Sequence, residues 1–169
     1  YVTPDYGPCE AVFHNHHGPY ASLDLTARKR VRDMETSEYQ EAPDYWYFQF
    51  RLVSVDERGV PLPNMPVETA NNRFDNGRRV EFPPRKFTEL GDFWFQIDEV
   101  DIHHERYIFD TSVYRLRVRV YEENGAYKAI VADTYKVGAG GALEPVTDIV
   151  FDNIKKPEVN VRYHWVGDC

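Results

Sequence analysis

Apolar and polar residues alternate with a period of two over much of this chain, the signature of strands with one buried face. In residues 22–31, Leu23, Leu25, Ala27, Lys29 and Val31 share one face; Ser22, Asp24, Thr26, Arg28 and Arg30 share the other. Residues 45–55 form a strongly β run with Trp46, Phe48, Phe50 and Leu52 in phase. Residues 93–99 place Phe93, Phe95, Ile97 and Glu99 opposite Trp94, Gln96 and Asp98. The clearest strand is 113–121, where Tyr114, Leu116, Val118 and Val120 face one way and Arg115, Arg117 and Arg119 the other. Further strands are expected at 79–82, 126–137, 148–154 and 159–166. In 148–154, Ile149, Phe151 and Asn153 are in phase.

Turn chemistry separates these runs. Asn76 with Gly77 and Asn124 with Gly125 are hairpin signals, residues 56–59 read as a turn, and 138–141 is rich in Gly. The Pro-rich stretch 60–66 can only be edge or loop. Residues 32–44 read as a polar loop, and 83–90 as a place for a helical turn. Seven or eight short strands with no amphipathic helix predict an all-β, immunoglobulin-like β-sandwich. The expected organisation is an N-terminal extension at 1–21, the sandwich at 22–156, and a C-terminal extension or linker strand at 157–169.

Composition narrows the function classes. The 169 residues suit one domain with extensions, and 12 Tyr, 10 Phe and 3 Trp supply a core. A formal net charge of -8 argues against a nucleic-acid backbone as partner, which needs a basic face. No run approaches the roughly 18 apolar residues of a membrane helix. No basic-then-apolar signal segment opens the chain. Cys9 and Cys169 stand near opposite ends; a disulfide and two free thiols are about equally compatible with the sequence.

Three of the strands carry one anomaly each: Lys29, Glu99 and Asn153 sit on faces that are otherwise apolar. For any one of them, a strand end where the core meets water is the ordinary explanation, and lysine can snorkel. Together they have another meaning. An amine, a carboxyl and a carboxamide are the ingredients of a self-formed amide cross-link. Burial lowers the lysine pKa and frees a nucleophilic amine; it raises the glutamate pKa, so a protonated carboxyl can donate to the Asn side-chain carbonyl. The amine attacks Cγ of Asn, ammonia leaves, and Glu shuttles the protons. Such a reaction runs once, on the protein itself, so the chain is not expected to be a turnover enzyme.

The same residues lie in stretches that resemble the pilin isopeptide-linkage domain of streptococcal and related Gram-positive pilins, the FctA or T-antigen type with a Cna-B-like fold. LTARK at 25–29 resembles the strand ending in the bonding Lys, FQFRL at 48–52 the F-x-F-x-L strand, and TANNRFDNGRRVEF at 69–82 the Asn/Gly turn and short strand. GDFWFQIDEV at 91–100 resembles the strand delivering the catalytic Glu, and FDN at 151–153 the closing F-x-N. YIFDTSVYRLRVRV at 107–120 resembles the Y-x-x-D-T-S-x-Y-x-V-x-V stretch, the most specific of these. The resemblance implies Lys29 and Asn153 as the bonded pair and Glu99 as catalyst. It also implies a structural module of an extracellular, cell-surface pilus or adhesin, with neighbouring domains or pilin subunits, and a host surface ligand, as partners. Residues 159–168 are faintly similar to the first strand of a following Cna-B-type domain. No LPxTG-type sorting motif is found, since Leu62, Pro63, Asn64 and Met65 lack the Thr and Gly; a domain cut from a longer surface protein, or a secreted variant, is therefore expected.

Other groups are weaker candidates. Trp94, Trp165, Tyr45, Tyr47, Tyr107 and Tyr127 could form an adhesive or carbohydrate-binding platform, though core cover or a domain junction accounts for them as well. His14, His16 and His17, and Asp101, His103, His104 and Glu105, lack a metal-ligand spacing, and neighbouring histidines on a strand point to opposite faces. No metal or other cofactor is expected, nor is a nucleophile elbow, P-loop or dinucleotide loop present. Lys155 and Lys156 are weak candidates for linking subunits.

Overall fold

The computed structural model describes residues 18–40, 42 and 47–158. Cys9, Cys169, Trp165, Tyr45, Trp46, the 14–17 histidines and the expected 159–166 strand lie outside them. Two sheets enclose the core. The first is six-stranded, in the order β12 (Leu143–Pro145), β11 (Ala126–Val137), β10 (Val113–Glu123), β8 (Gly91–Val100), β4 (Gln49–Val55), β5 (Glu68–Asn71). The second runs β3 (Tyr39–Gln40), β2 (Thr26–Asp33), β13 (Val150–Lys155), β9 (Tyr107–Ile108), with β6 (Arg79–Glu81) also paired to β2. A two-stranded ribbon joins β1 (Ala21–Leu23) to β7 (Arg85–Phe87).

The alternating strands bury the faces their patterns predict. Phe50 and Leu52 of β4, Phe95 and Ile97 of β8, and Tyr114, Leu116, Val118 and Val120 of β10 point inward from the first sheet. Ala27 and Val31 of β2 and Phe151 of β13 meet them from the second. Phe151 packs against Phe50 and Tyr114 across the interior, with ring centroids 5.2 Å from each. The contact with Tyr114 is edge-on and that with Phe50 tilted, and aromatic pairs so arranged add to the area they bury. Asn124 and Gly125 close the β10–β11 hairpin with φ of 52° and 81°, the positive pair that a type I′ turn requires.

Among the described residues, all neighbouring strands but one pair run antiparallel. The exception positions the site. β2 and β13 run parallel through six register pairs, from Arg28↔Val150 to Asp33↔Lys155. Parallel partners need a long crossover, and here almost the whole domain lies between them.

The structure departs from the sequence reading at several places, among them the short strands β5, β9 and β12, which that reading did not expect. Residues 22–31 are two strands rather than one, since β1 leaves the sheet to pair with β7. The helical turn expected in 83–90 is instead β7, whose Phe87 is buried opposite Ala21. The 32–44 loop contains the end of β2 and the short strand β3. Arg115, assigned to the solvent face, is only 7% exposed, because the 56–59 turn folds over it and Glu57 offers its carbonyl to Nη1 at 3.2 Å.

Candidate functional site

Lys29 stands mid-β2 between Ala27 and Val31, in phase with buried neighbours, so its side chain must enter the core. It does: the residue is 1% exposed and among the largest fully buried side chains. Glu99 enters from the opposite sheet, following Phe95 and Ile97 along β8, with Phe50 as its cross-strand partner. Asn153 follows Phe151 on β13 and is wholly buried. In the parallel register Phe151 lies opposite Lys29 and Asn153 opposite Val31. The Lys and Asn thus rise from adjacent strands, one pleat repeat apart.

These three side chains meet. Lys29 Nζ donates to both carboxylate oxygens of Glu99, at 2.9 Å to Oε1 and 3.2 Å to Oε2. Asn153 Nδ2 donates to Oε2 at 2.7 Å. One carboxylate therefore bridges the amine and the amide nitrogen. Phe48 roofs the amine, with Nζ 4.5 Å from the ring centroid, and Phe50 lies 5.8 Å away. Phe48 is itself held by Asn72, whose Oδ1 accepts the Phe48 N–H at 2.7 Å while Nδ2 donates to the Gly77 carbonyl at 2.9 Å.

Removal from water dominates the protonation of the pair. Desolvation lowers the Lys29 pKa to about 8, against the pull of Glu99 and of the more distant Asp110 and Asp152 carboxylates, which favour the ammonium. Desolvation raises the Glu99 pKa, while Lys29 and the hydrogen bond from Asn153 oppose the rise. Both shifts favour the uncharged partners. A single proton shared between an amine and a carboxyl is the natural state of such a site near neutrality.

The expected hydrogen bond from Glu99 to the Asn153 carbonyl is replaced by a different one. Oδ1 of Asn153 accepts the backbone N–H of Asp110 at 2.9 Å, and the amide nitrogen faces Glu99. A backbone N–H can only donate, so the carboxamide orientation follows from its partners. Asp110 is the residue that sequence reasoning did not single out. Its carboxylate accepts the N–H of Ser112 and that of Asp152, each at 2.7 Å. Asp152 is in turn clasped by Arg30 through two hydrogen bonds of 2.7 and 2.9 Å. The Asp and Ser of the D-T-S stretch were the available signal.

Other sequence candidates lie elsewhere. Tyr107 is core, edge-on to Phe48 with centroids 5.1 Å apart, out of reach of an external ligand. Trp94 lies on the outer face of β8, stacked on Tyr135 at 6.3 Å. Tyr127 packs against the core and Tyr47 is exposed. His103 projects into solvent, and His104 Nδ1 accepts the Arg106 N–H at 3.1 Å. Among the described residues no group of three His, Cys, Asp or Glu is placed to hold a metal ion, and no helix is long and apolar enough to cross a membrane. Lys155 and Lys156 are half-buried at the end of β13.

No family model matches the chain, and no curated protein matches it. Among solved structures, it is similar to the major pilin from Streptococcus pyogenes in native and mutant forms. There the identity is 17% and 20%, with TM-scores of 0.45 and 0.46, over 82% of this chain and 51% of the pilin. It is also similar to the T-13 major pilin of the same organism, at 14% identity and a TM-score of 0.46 over 82% of this chain and 55% of that one. The chain spans about half the length of the pilins it matches.

Proposed function

We propose that this chain is a structural module of a bacterial surface pilus or adhesin, held together by a self-formed amide bond between Lys29 and Asn153. One observation carries the reading: a buried amine and a buried carboxamide, on the two parallel strands, both contact a single buried carboxylate. An ion pair kept only for stability would be a poor use of that interior, since burying charges costs about as much as their attraction returns. The motifs around all three residues, which resemble the pilin isopeptide-linkage domain, support the same assignment.

The chemistry follows from the contacts. With the shared proton on Glu99, Lys29 Nζ is neutral and attacks Cγ of Asn153. The proton released by the new ammonium goes to Glu99, and Glu99 delivers one to Nδ2, which leaves as ammonia. Oε2 touches both nitrogens, so the carboxyl moves protons between them without water. The event happens once per molecule. The module would act outside the cell beside neighbouring domains or subunits.

Intact-mass spectrometry of the purified protein tests this reading. A mass one ammonia below that of the sequence is expected, with tandem spectra placing the branch at Lys29 and Asn153. The full sequence mass, found in protein that is folded, would refute the bond.

A further inference from the structure

We infer that the backbone N–H of Asp110 is the oxyanion donor of this reaction, and that the Asp110 carboxylate is the positioning group that holds it there. The inference rests on the reading above, that Lys29 and Asn153 become joined.

When Nζ attacks Cγ, the carbonyl π pair moves onto Oδ1 of Asn153, and negative charge appears at that atom. Glu99 cannot meet it, because both its oxygens face nitrogens: Oε1 and Oε2 toward Nζ, and Oε2 toward Nδ2. The group facing Oδ1 is the Asp110 N–H at 2.9 Å, within the range at which a fixed donor stabilises a forming oxyanion. The roles divide: Glu99 handles protons and Asp110 handles charge. The balance closes without another reactant. The Nζ–Cγ bond forms, the Nζ proton passes through Glu99 to Nδ2, the Cγ–Nδ2 bond breaks, the pair on Oδ1 returns, and ammonia departs.

What fixes the donor is the Asp110 side chain. One of its oxygens bonds the Ser112 N–H and shapes the 110–112 turn; the other bonds the N–H of Asp152, next to the acceptor residue. The Asp152 carboxylate is held by Arg30, next to the nucleophile. A chain of contacts thus fastens the neighbours of both reacting residues to the loop that supplies the N–H.

The donor can be removed while its side chain is kept, by installing malic acid, the α-hydroxy analogue of aspartate, at position 110 during cell-free synthesis. That change replaces the N–H by an ester oxygen. Loss of ammonia is followed by intact mass over time, across a range of pH. The ester form is expected to react about a hundredfold or more slowly than the all-amide protein, with the midpoints of its pH profile unmoved. Asp110→Ala should also slow the reaction, and Asp110→Asn, which keeps one acceptor oxygen, should recover part of the rate. An ester form that reacts at the all-amide rate overturns the inference while leaving the bond intact. So does slowing accompanied by a shift of the pH midpoints, which would signal a loosened, hydrated site. All-amide protein that never loses ammonia overturns both the inference and the reading beneath it.

Discussion

Lys29→Met and Glu99→Gln both abolish the proposed bond, but they should not destabilise the protein equally. Loss of the cross-link itself is common to both. By the loop-closure argument used for disulfides, tying positions separated by most of the chain is worth about 5 kcal/mol. Lys29→Met loses little beyond that. The thioether fills the volume of the lysine stem and packs against Phe48 and Phe50, which now surround the amine, and Glu99 can stay neutral with Asn153 as partner. Glu99→Gln removes the carboxylate and strands an amine on a residue that is 1% exposed. Breaking a buried pair from one side costs a further 3–5 kcal/mol, roughly. The expected order is wild type, then Lys29→Met about 5 kcal/mol below, then Glu99→Gln about 8–10 kcal/mol below. Guanidinium unfolding, with intact mass taken on each sample, measures it. If wild type lacks one ammonia yet Lys29→Met unfolds at the same midpoint, the loop-closure reasoning is wrong. If Glu99→Gln is the more stable of the two variants, the desolvation reasoning is wrong.

Two other outcomes follow from the same geometry. The rate of bond formation should be bell-shaped in pH, because the reactive state holds one proton between Lys29 and Glu99. It should fall on the acid side, where the raised Glu99 carboxyl and the amine are both protonated, and again above about 8, where the last proton leaves. Mass time courses would show this, and a rate that keeps climbing beyond that upper value would mean that no acid is needed. Asn72→Ala should cost about 1–3 kcal/mol, since it removes the buried side chain whose Oδ1 accepts the Phe48 N–H and whose Nδ2 donates to the Gly77 carbonyl. It should also slow the cross-link by unseating the ring above Lys29. Thermal melts in the Lys29→Met background separate the two effects.

The long strands were legible because sustained two-residue periodicity leaves little choice of face: the runs 93–99 and 113–121 stand out on pattern alone, and the turn at Asn124 and Gly125 leads into 126–137. The site was legible for the same reason. Lys29, Glu99 and Asn153 each break an apolar series that otherwise predicts burial, and each is found inside. Short pieces carry no period. Three residues at 85–87 cannot announce a strand, and β7 exists only because β1 supplies its partner. Asp110 escaped notice for a different reason. What it offers the site is a main-chain N–H, which every residue but proline has, and its carboxylate bonds two residues on as in any loop aspartate. Burial of Arg115 depends on a distant turn folding over it, which no local pattern encodes.

The parallel pairing of β2 with β13 has a mechanical meaning. The chain enters β2 at one end of the sheet and leaves β13 at the other, so tension applied along the chain loads the two strands in shear. Were they joined at Lys29 and Asn153 as proposed, they would carry the force through one amide. The segments bracketed by that amide, 70 positions to Glu99 and 54 beyond it, would drop out of the load path. Unravelled at roughly 3.3–3.6 Å per residue, they would otherwise lengthen the molecule by roughly 400 Å. A filament built from such units would hold its length under drag until a covalent bond failed.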